Sequence, residues 1–195
     1  DRGTRGENED AGVLVMGRLS NGAVVAVIGV ADGVGGMELG SAASGRAVTM
    51  VREGVASLIQ TIYGGRTEVG FKVLFEEIHG AIVKELGGRG GTTLSVAVAV
   101  AAEGYPMWLG VANVGDSAVY LIRPGGGVEV LTQSDRVEGN VISQALGVRL
   151  SEVHVRVRQI SGGCVGLVAM SDGVDEVLDK VFYACLLYTS PSPRD

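Results

Sequence analysis

Three apolar stretches of the sequence end in an aspartate. Asp32 ends "VIGVAD" directly before Gly33, Asp116 ends "VANVGD", and Asp172 ends "VGLVAMSD". Carboxylates at strand ends, next to glycines that let backbone carbonyls come close, are what a hard divalent cation requires, since Mg²⁺ and Mn²⁺ take oxygen ligands and retain waters. Two such ions near each other can activate a water and hold a phosphoryl group during transfer.

A fourth acidic group, "ENED", contains Glu9 and Asp10 and precedes the first apolar stretch. Each group taken alone has a simpler structural interpretation, and Asp32 and Asp172 stand in Asp-Gly, a common turn dipeptide. The set together favours a cation site over four unrelated turns. Periodicity does not show that these ends converge, so both interpretations remain open at this point.

The elements that would position these carboxylates follow from the apolar pattern. Residues 11–32 predict two strands around the turn Ser20-Asn21-Gly22, because Asn-Gly is a strong hairpin signal. Helical spacing predicts long helices over about 37–60 and 67–86, the second capped by Gly87. After residue 90 short strands dominate, with a brief helix expected at 140–147. This order predicts an α+β layered domain rather than alternating βαβ units.

Composition excludes several classes of protein. The chain has 195 residues, 46% of them hydrophobic, 32 glycines and a net charge of −6. That suits one globular domain without a basic nucleic-acid surface. The cysteines, Cys164 and Cys185, lack metal-ligand spacing and indicate a reducing compartment. With no apolar stretch of membrane-spanning length and no signal peptide visible, we expect a cytoplasmic protein without a membrane segment.

Other reactive residues have ordinary structural explanations. "GGRGGTTL" lacks the lysine of a phosphate loop and precedes a strand, which favours a turn. His79 is expected to be a partly exposed helical residue, and His154 to face solvent on an alternating strand. Cys164 has no sequence context of a nucleophile.

Seven short blocks resemble one family. "RGENED", "VADGVGGMELGSAAS", "GGTTL", "ANVGDSAVYL", "LTQSDR", "VISQALG" and "LVAMSDGV" stand in the order found in metal-dependent protein phosphatases of the 2C type. The resemblance covers about residues 5–180. It implies an α+β fold with two stacked, mostly antiparallel β-sheets flanked by helix pairs, an α-β-β-α sandwich.

The resemblance also implies roles for the metal-site residues. Asp32 would bridge two metal ions, Gly33 would offer its carbonyl, and Asp172 would complete the shell of the first ion. Glu9 and Asp10 resemble the acidic pair that holds metal-bound waters.

Two further roles are carried over from the family. Arg5 matches the arginine that binds the substrate phosphate, for which a guanidinium fork is suited. Asp116 matches an aspartate near the metals that is often linked to a third, looser ion. A structural role for Asp116, as a turn acceptor beside Ser117, is an equal alternative.

The reaction so implied is hydrolysis of phosphoserine or phosphothreonine in proteins, by a water activated by two Mn²⁺ or Mg²⁺ ions, with a phosphorylated protein as the partner. One alternative is a catalytically dead, phosphatase-like module that binds a phosphoprotein. Another is a metal-dependent hydrolase of small phosphate esters, because substrate choice lies outside the core motifs.

The sequence departs from the family at several points. Val34 stands where many eukaryotic members have histidine, as in bacterial members, and Arg136 stands where the family often has histidine. No match to the family's C-terminal Asp-Asn ligand follows Asp172. We therefore predict a phosphatase domain at 1–182, incomplete at both ends, a non-native tail at 183–195, and weak or absent activity for the chain as given.

Overall fold

The structure, a computed structural model, describes residues 8–138, 141–161 and 166–175. Its elements in chain order are β1 (Asp10–Arg18), β2 (Val24–Asp32), α1 (Gly40–Tyr63), α2 (Thr67–Leu86), β3 (Leu94–Ala101), β4 (Met107–Val114), β5 (Ala118–Ile122), β6 (Val128–Val130), β7 (His154–Ile160), β8 (Gly166–Met170) and α3 (Asp172–Asp175). The predicted boundary at 182 and the predicted tail lie outside the described residues.

The strands form two sheets. The larger has the order β1-β2-β3-β4-β7 and the smaller the order β6-β5-β8. Every strand pair in the described part of the chain is antiparallel. The sheets stack through β2 and β3 of the larger and β5 and β8 of the smaller. The predicted α+β class with two antiparallel sheets is therefore confirmed.

The first hairpin forms at the predicted turn. Gly22 has φ of +85°, the left-handed conformation that glycine tolerates. The register pairs Asp10 with Asp32, so that the first residue of β1 lies opposite the last residue of β2. This pairing alone brings two of the predicted ligand positions next to each other.

The helix pair α1 and α2 covers one face of the larger sheet. Apolar residues of both helices form a continuous core with the sheet, including Ala43, Ala47 and Val51 of α1 and Phe71 and Phe75 of α2, all fully buried. The small residues of the first half of α1 allow the close packing expected from the sequence. α2 ends where predicted, at Gly87 with φ of +59°.

The prediction of a brief helix at 140–147 was wrong for the residues that the structure describes there. Residues 141–147 make isolated bridges instead, with Ile142 bridged to Arg136 and Leu146 to Thr92. The Gln144 side chain accepts hydrogen bonds from the backbone N–H groups of Ser151 and Glu152. A side chain that satisfies backbone groups elsewhere competes with helix formation.

Among the described residues, we find no helix that combines the length and hydropathy needed to span a membrane.

Candidate metal centre and active site

Three carboxylates meet where the two sheets come together. Asp10 begins β1, Asp32 ends β2, and Asp172 follows β8 of the smaller sheet. The side chain of Asp32 hydrogen-bonds to those of both Asp10 and Asp172. Ser171 Oγ also donates to Asp10 Oδ2 at 3.2 Å, which ties the end of β8 to the start of β1. The convergence that periodicity could not show is therefore present.

The backbone of Asp32 is held on both sides by the start of β3. Its N–H donates to Thr93 Oγ1 at 3.0 Å, and its carbonyl accepts from Thr93 N at 2.8 Å and from Thr92 Oγ1 at 2.9 Å. Thr93 Oγ1 is in turn 2.7 Å from Ser117 Oγ. Both threonines are buried, so this network fixes the backbone position from which the Asp32 side chain extends.

The environment of Asp32 disfavours its negative charge. Burial raises the pKa of the Asp32 carboxyl from its ordinary 3.8 to about 8, with the nearby carboxyls of Asp10 and Asp172 as further causes. A bound cation would remove this penalty. Like-charged side chains gathered without enough positive charge are typical of a site that takes up a cation.

Gly33 lies in a place that no larger residue could occupy. A Cβ there would come within 2.6 Å of the backbone of Gly40, the first residue of α1. Its N–H donates to the carbonyl of Glu9 at 3.0 Å. The Glu9 carboxylate also reaches this point, since a Cβ on Gly40 would lie 2.8 Å from Glu9 Oε1. Glu9 and Gly33 therefore reach the same edge of the sheet as Asp32.

Asp116 is connected to this group through an arginine. Arg136 Nε donates to Asp116 Oδ2 at 3.0 Å, and Arg136 Nη2 lies 2.9 Å from the same oxygen. The same Nη2 donates to Asp172 Oδ2 at 2.8 Å. A guanidinium thus lies between two of the carboxylates that the sequence assigned to metal ions.

A second buried polar cluster lies beside the first. Asp135 Oδ2 accepts from the N–H of Gly115 at 2.7 Å and from Gln144 Nε2 at 2.9 Å. Asp135 Oδ1 is 2.7 Å from His154 Nε2. The His154 side chain is only 12% exposed, so the expectation that it faces solvent was wrong. His79 is half-buried, as expected, and its Nδ1 accepts from Gly147 N.

The oxygen donors at this edge suit a hard divalent cation in their chemistry. Within the described residues, no three His, Cys, Asp or Glu side chains are placed to surround one ion together. Mg²⁺ commonly takes only one or two carboxylates and keeps several waters. The cluster of Asp10, Asp32 and Asp172, with its raised pKa, is consistent with that kind of site. Arg5 lies outside the described residues.

Sequence reasoning assigned no role to several residues that support the site. The hydroxyls of Thr92, Thr93 and Ser117 belong to blocks that carried the family resemblance, and this was the available signal. Arg136 was noted only as a departure from the family. The link from Asp135 to His154 spans 19 positions, and no local pattern indicates it.

Comparison with solved structures supports the fold. A point variant of a bacterial serine phosphatase gives a TM-score of 0.72 at 19% identity over 96% of this chain and 81% of that one. Stp1 from Staphylococcus aureus gives 0.71 at 18% identity, over 98% of this chain and 80% of that one. The PstP/Ppp phosphatase of Mycobacterium tuberculosis gives 0.67 at 21% identity, over 96% and 81%. At such identities the likeness establishes the fold.

Comparison with sequences establishes the family. No curated protein matches this chain. The sequence model described as "Protein phosphatase 2C" matches residues 6–189, nearly the whole chain. The predicted family and the predicted class of activity, a protein serine/threonine phosphatase, are thereby confirmed. The chain belongs to the protein phosphatase 2C family.

Proposed function

We propose that this chain hydrolyses phosphoserine and phosphothreonine esters in proteins with two divalent ions, Mn²⁺ or Mg²⁺, held at the edge where Asp10, Asp32 and Asp172 meet. The observation that carries the proposal is the meeting of these three carboxyls at one edge, where burial and the neighbouring carboxyls raise the pKa of Asp32 to about 8. Such a group is costly to maintain for structure alone, and family membership explains its presence.

The proposed ligand set consists of the oxygen donors that the fold brings to this edge: Glu9, Asp10, Asp32, Gly33 and Asp172. The side-chain contacts of Asp32 with both Asp10 and Asp172 support a shared role for these three residues in holding the ions. Bound Mn²⁺ or Mg²⁺ would supply Lewis-acid activation of the attacking water and neutralise charge on the phosphoryl oxygens. The role of Arg5 in binding the substrate phosphate remains a prediction from the family resemblance.

The protein's own contribution is to hold its carboxylates in place before any ion arrives. The hydrogen bonds that Asp32 makes with Thr92 and Thr93 fix its backbone, and Ser171 positions Asp10. Preorganised charge requires little rearrangement during the reaction. The tight approach of Gly33 to Gly40 adds rigidity on the side of α1.

The test is release of phosphate from a phosphothreonine peptide, with Mn²⁺ and with a chelator, by this chain and two variants. Asp32→Asn keeps the shape and removes the charge, and we expect a loss of at least about a hundredfold in kcat/KM. The control is Glu68→Gln, the same change of acid to amide on the exposed face of α2, where Glu68 pairs with Lys72. It should retain activity.

Activity that persists in the chelator, or in Asp32→Asn, would contradict the proposal. Mn²⁺ uptake without turnover by the parent chain would fit both the binding module and the weak or absent activity expected from the sequence. The predictions of no nucleic-acid partner and of a cytoplasmic location stay predictions.

A further inference from the structure

We propose that Arg136 serves as a built-in cation between Asp116 and Asp172, so that Asp116 is paired with protein rather than with a metal ion. The inference deepens the proposed function and rests on it, because it concerns how many ions the same site holds. It starts from the three short contacts that the Arg136 guanidinium makes with the two carboxylates, between 2.8 and 3.0 Å.

The geometry favours this pairing over a passing surface contact. The Asp116 side chain is only 9% exposed and that of Arg136 is 27% exposed. An exposed pair elsewhere, Arg89 with Glu38, is 60% and 67% exposed at 3.4 Å. Charged groups that are largely shielded from water interact more strongly and are screened less by salt. The fork of a guanidinium also matches carboxylate geometry better than an ammonium does.

The backbone that carries Arg136 is anchored, so the guanidinium is delivered to one place. Asp135 N donates to Gly115 O at 3.0 Å, and Gly115 N donates back to Asp135 Oδ2. On the other side, Ser143 N donates to Asp135 O, and Val137 N donates to Val141 O. These bonds hold the segment beside the turn that bears Asp116.

The position of the guanidinium determines what else the two carboxylates can bind. Asp116 Oδ2 and Asp172 Oδ2 both accept from the same nitrogen, Arg136 Nη2. A divalent ion that used both oxygens would have to displace it, bringing two positive charges against a side chain that keeps its own charge at any working pH. Asp172 can still face Asp32 on its other side. The parent chain should therefore take up only the ions that Asp32 and its neighbours hold.

The experiment counts Mn²⁺ ions bound per chain, by isothermal titration calorimetry and by electron paramagnetic resonance of free Mn²⁺. Arg136→Ala should bind one more ion than the parent, with at least tenfold weaker affinity than the first. The matched control is Arg158→Ala, which removes the same charge from a side chain that is equally exposed, at 28%, and paired with Glu129. It should bind the same number as the parent.

A second variant keeps the inference testable if Arg136→Ala does not fold, as judged by circular dichroism. Asp116→Asn should leave the parent's ion count unchanged, because Asp116 contributes no metal ligand. Loss of an ion in Asp116→Asn, or equal counts and affinities in the parent and Arg136→Ala, would overturn the role of Arg136 alone. No Mn²⁺ uptake by any of these chains would overturn the metal centre itself, and the inference with it.

Discussion

Two aspartates of this domain, Asp32 and Asp135, lie in neighbouring parts of the structure but have opposite electrostatic surroundings. Asp135 is 8% exposed, accepts hydrogen bonds from Gly115 and Gln144, and lies 2.7 Å from His154 Nε2. Asp32 is partly buried, and its carboxyl meets two other carboxyls. The Asp135 carboxylate has its hydrogen-bond partners within the protein, whereas the negative charge of Asp32 is disfavoured by the carboxyls around it.

The difference shows which part of the molecule is structure and which part is function. A buried carboxylate with hydrogen-bond donors stabilises the fold and needs nothing more. A carboxylate among like charges costs stability in the metal-free protein, and that cost is typical of functional sites. The two clusters are adjacent, since Arg136 follows Asp135 directly in the chain and reaches Asp116 and Asp172. The Asp135 cluster thereby helps to position the residues around the carboxylate group of Asp10, Asp32 and Asp172.

The largest expected effect comes from removing the satisfied carboxylate. Asp135→Ala leaves the N–H of Gly115 and the amide of Gln144 without their shared acceptor, so the free energy of unfolding should fall by about 3 kcal/mol. Urea denaturation measures it. Glu129→Ala is the control, because Glu129 pairs with Arg158 and Arg123 but is 36% exposed, and about 1 kcal/mol or less is expected there. Equal losses in the two variants would mean that Asp135 is not the structural anchor.

Removing the charge of Asp32 should have the opposite effect on the metal-free protein. Asp32→Asn cannot carry the charge that burial and its neighbours disfavour, so the variant should melt at a higher temperature than the parent at pH 8 in a chelator. At a Mn²⁺ concentration of about 100 times Kd the parent should gain about 2.7 kcal/mol, and the variant should gain almost none. Differential scanning calorimetry with and without Mn²⁺ measures both. A parent-like response to Mn²⁺ in the variant would exclude Asp32 as a ligand.

The raised pKa of Asp32 predicts how the stability of the metal-free protein and its affinity for Mn²⁺ depend on pH. A folded-state pKa of about 8, against 3.8 ordinarily, means that the folded metal-free chain holds a proton that the unfolded chain releases. This contribution to stability is complete below pH 3.8 and is lost as pH rises through about 8. Because a ligand must be deprotonated, Mn²⁺ affinity should rise by about tenfold from pH 6 to pH 7.

Calorimetry in buffers of different ionisation enthalpy checks this directly, because uptake of Mn²⁺ at pH 7 should release close to one proton. Asp32→Asn removes the group that titrates, and any residual Mn²⁺ binding by that variant should depend little on pH over this range. Binding by the parent that does not change between pH 6 and pH 7 would show that Asp32 is already ionised in the folded protein.

The sequence predicted the elements better than the contacts between them. The Asn-Gly turn and the helical spacing located the first hairpin, α1 and α2, because these signals depend on neighbouring residues. The segment 141–147 was misread because its apolar spacing is compatible with a helix, and nothing local shows that the Gln144 side chain binds the backbone of Ser151 and Glu152 instead. Local patterns do not contain a competing long-range partner.

The candidate site shows the same limit. Asp10, Asp32 and Asp172 were identified from ordered motifs, and the register of the first hairpin accounts for only one of their contacts. The position of Arg136 depends on pairs 20 and 36 residues apart. Distances of that kind follow from how the two sheets stack, which the sequence reveals only through resemblance to a known fold.

The smallest expected effect tests whether the two clusters are separate. His154→Leu removes one partner of Asp135 and leaves those from Gly115 and Gln144, so the free energy of unfolding should fall by about 1 kcal/mol. The urea midpoint should shift without a change in slope, and the stabilisation by Mn²⁺ should equal that of the parent. If His154→Leu instead abolishes the response to Mn²⁺, then the Asp135 cluster is part of the metal centre. A purely structural partner, connected to Arg136 only through Asp135, would alter stability and leave ion binding intact.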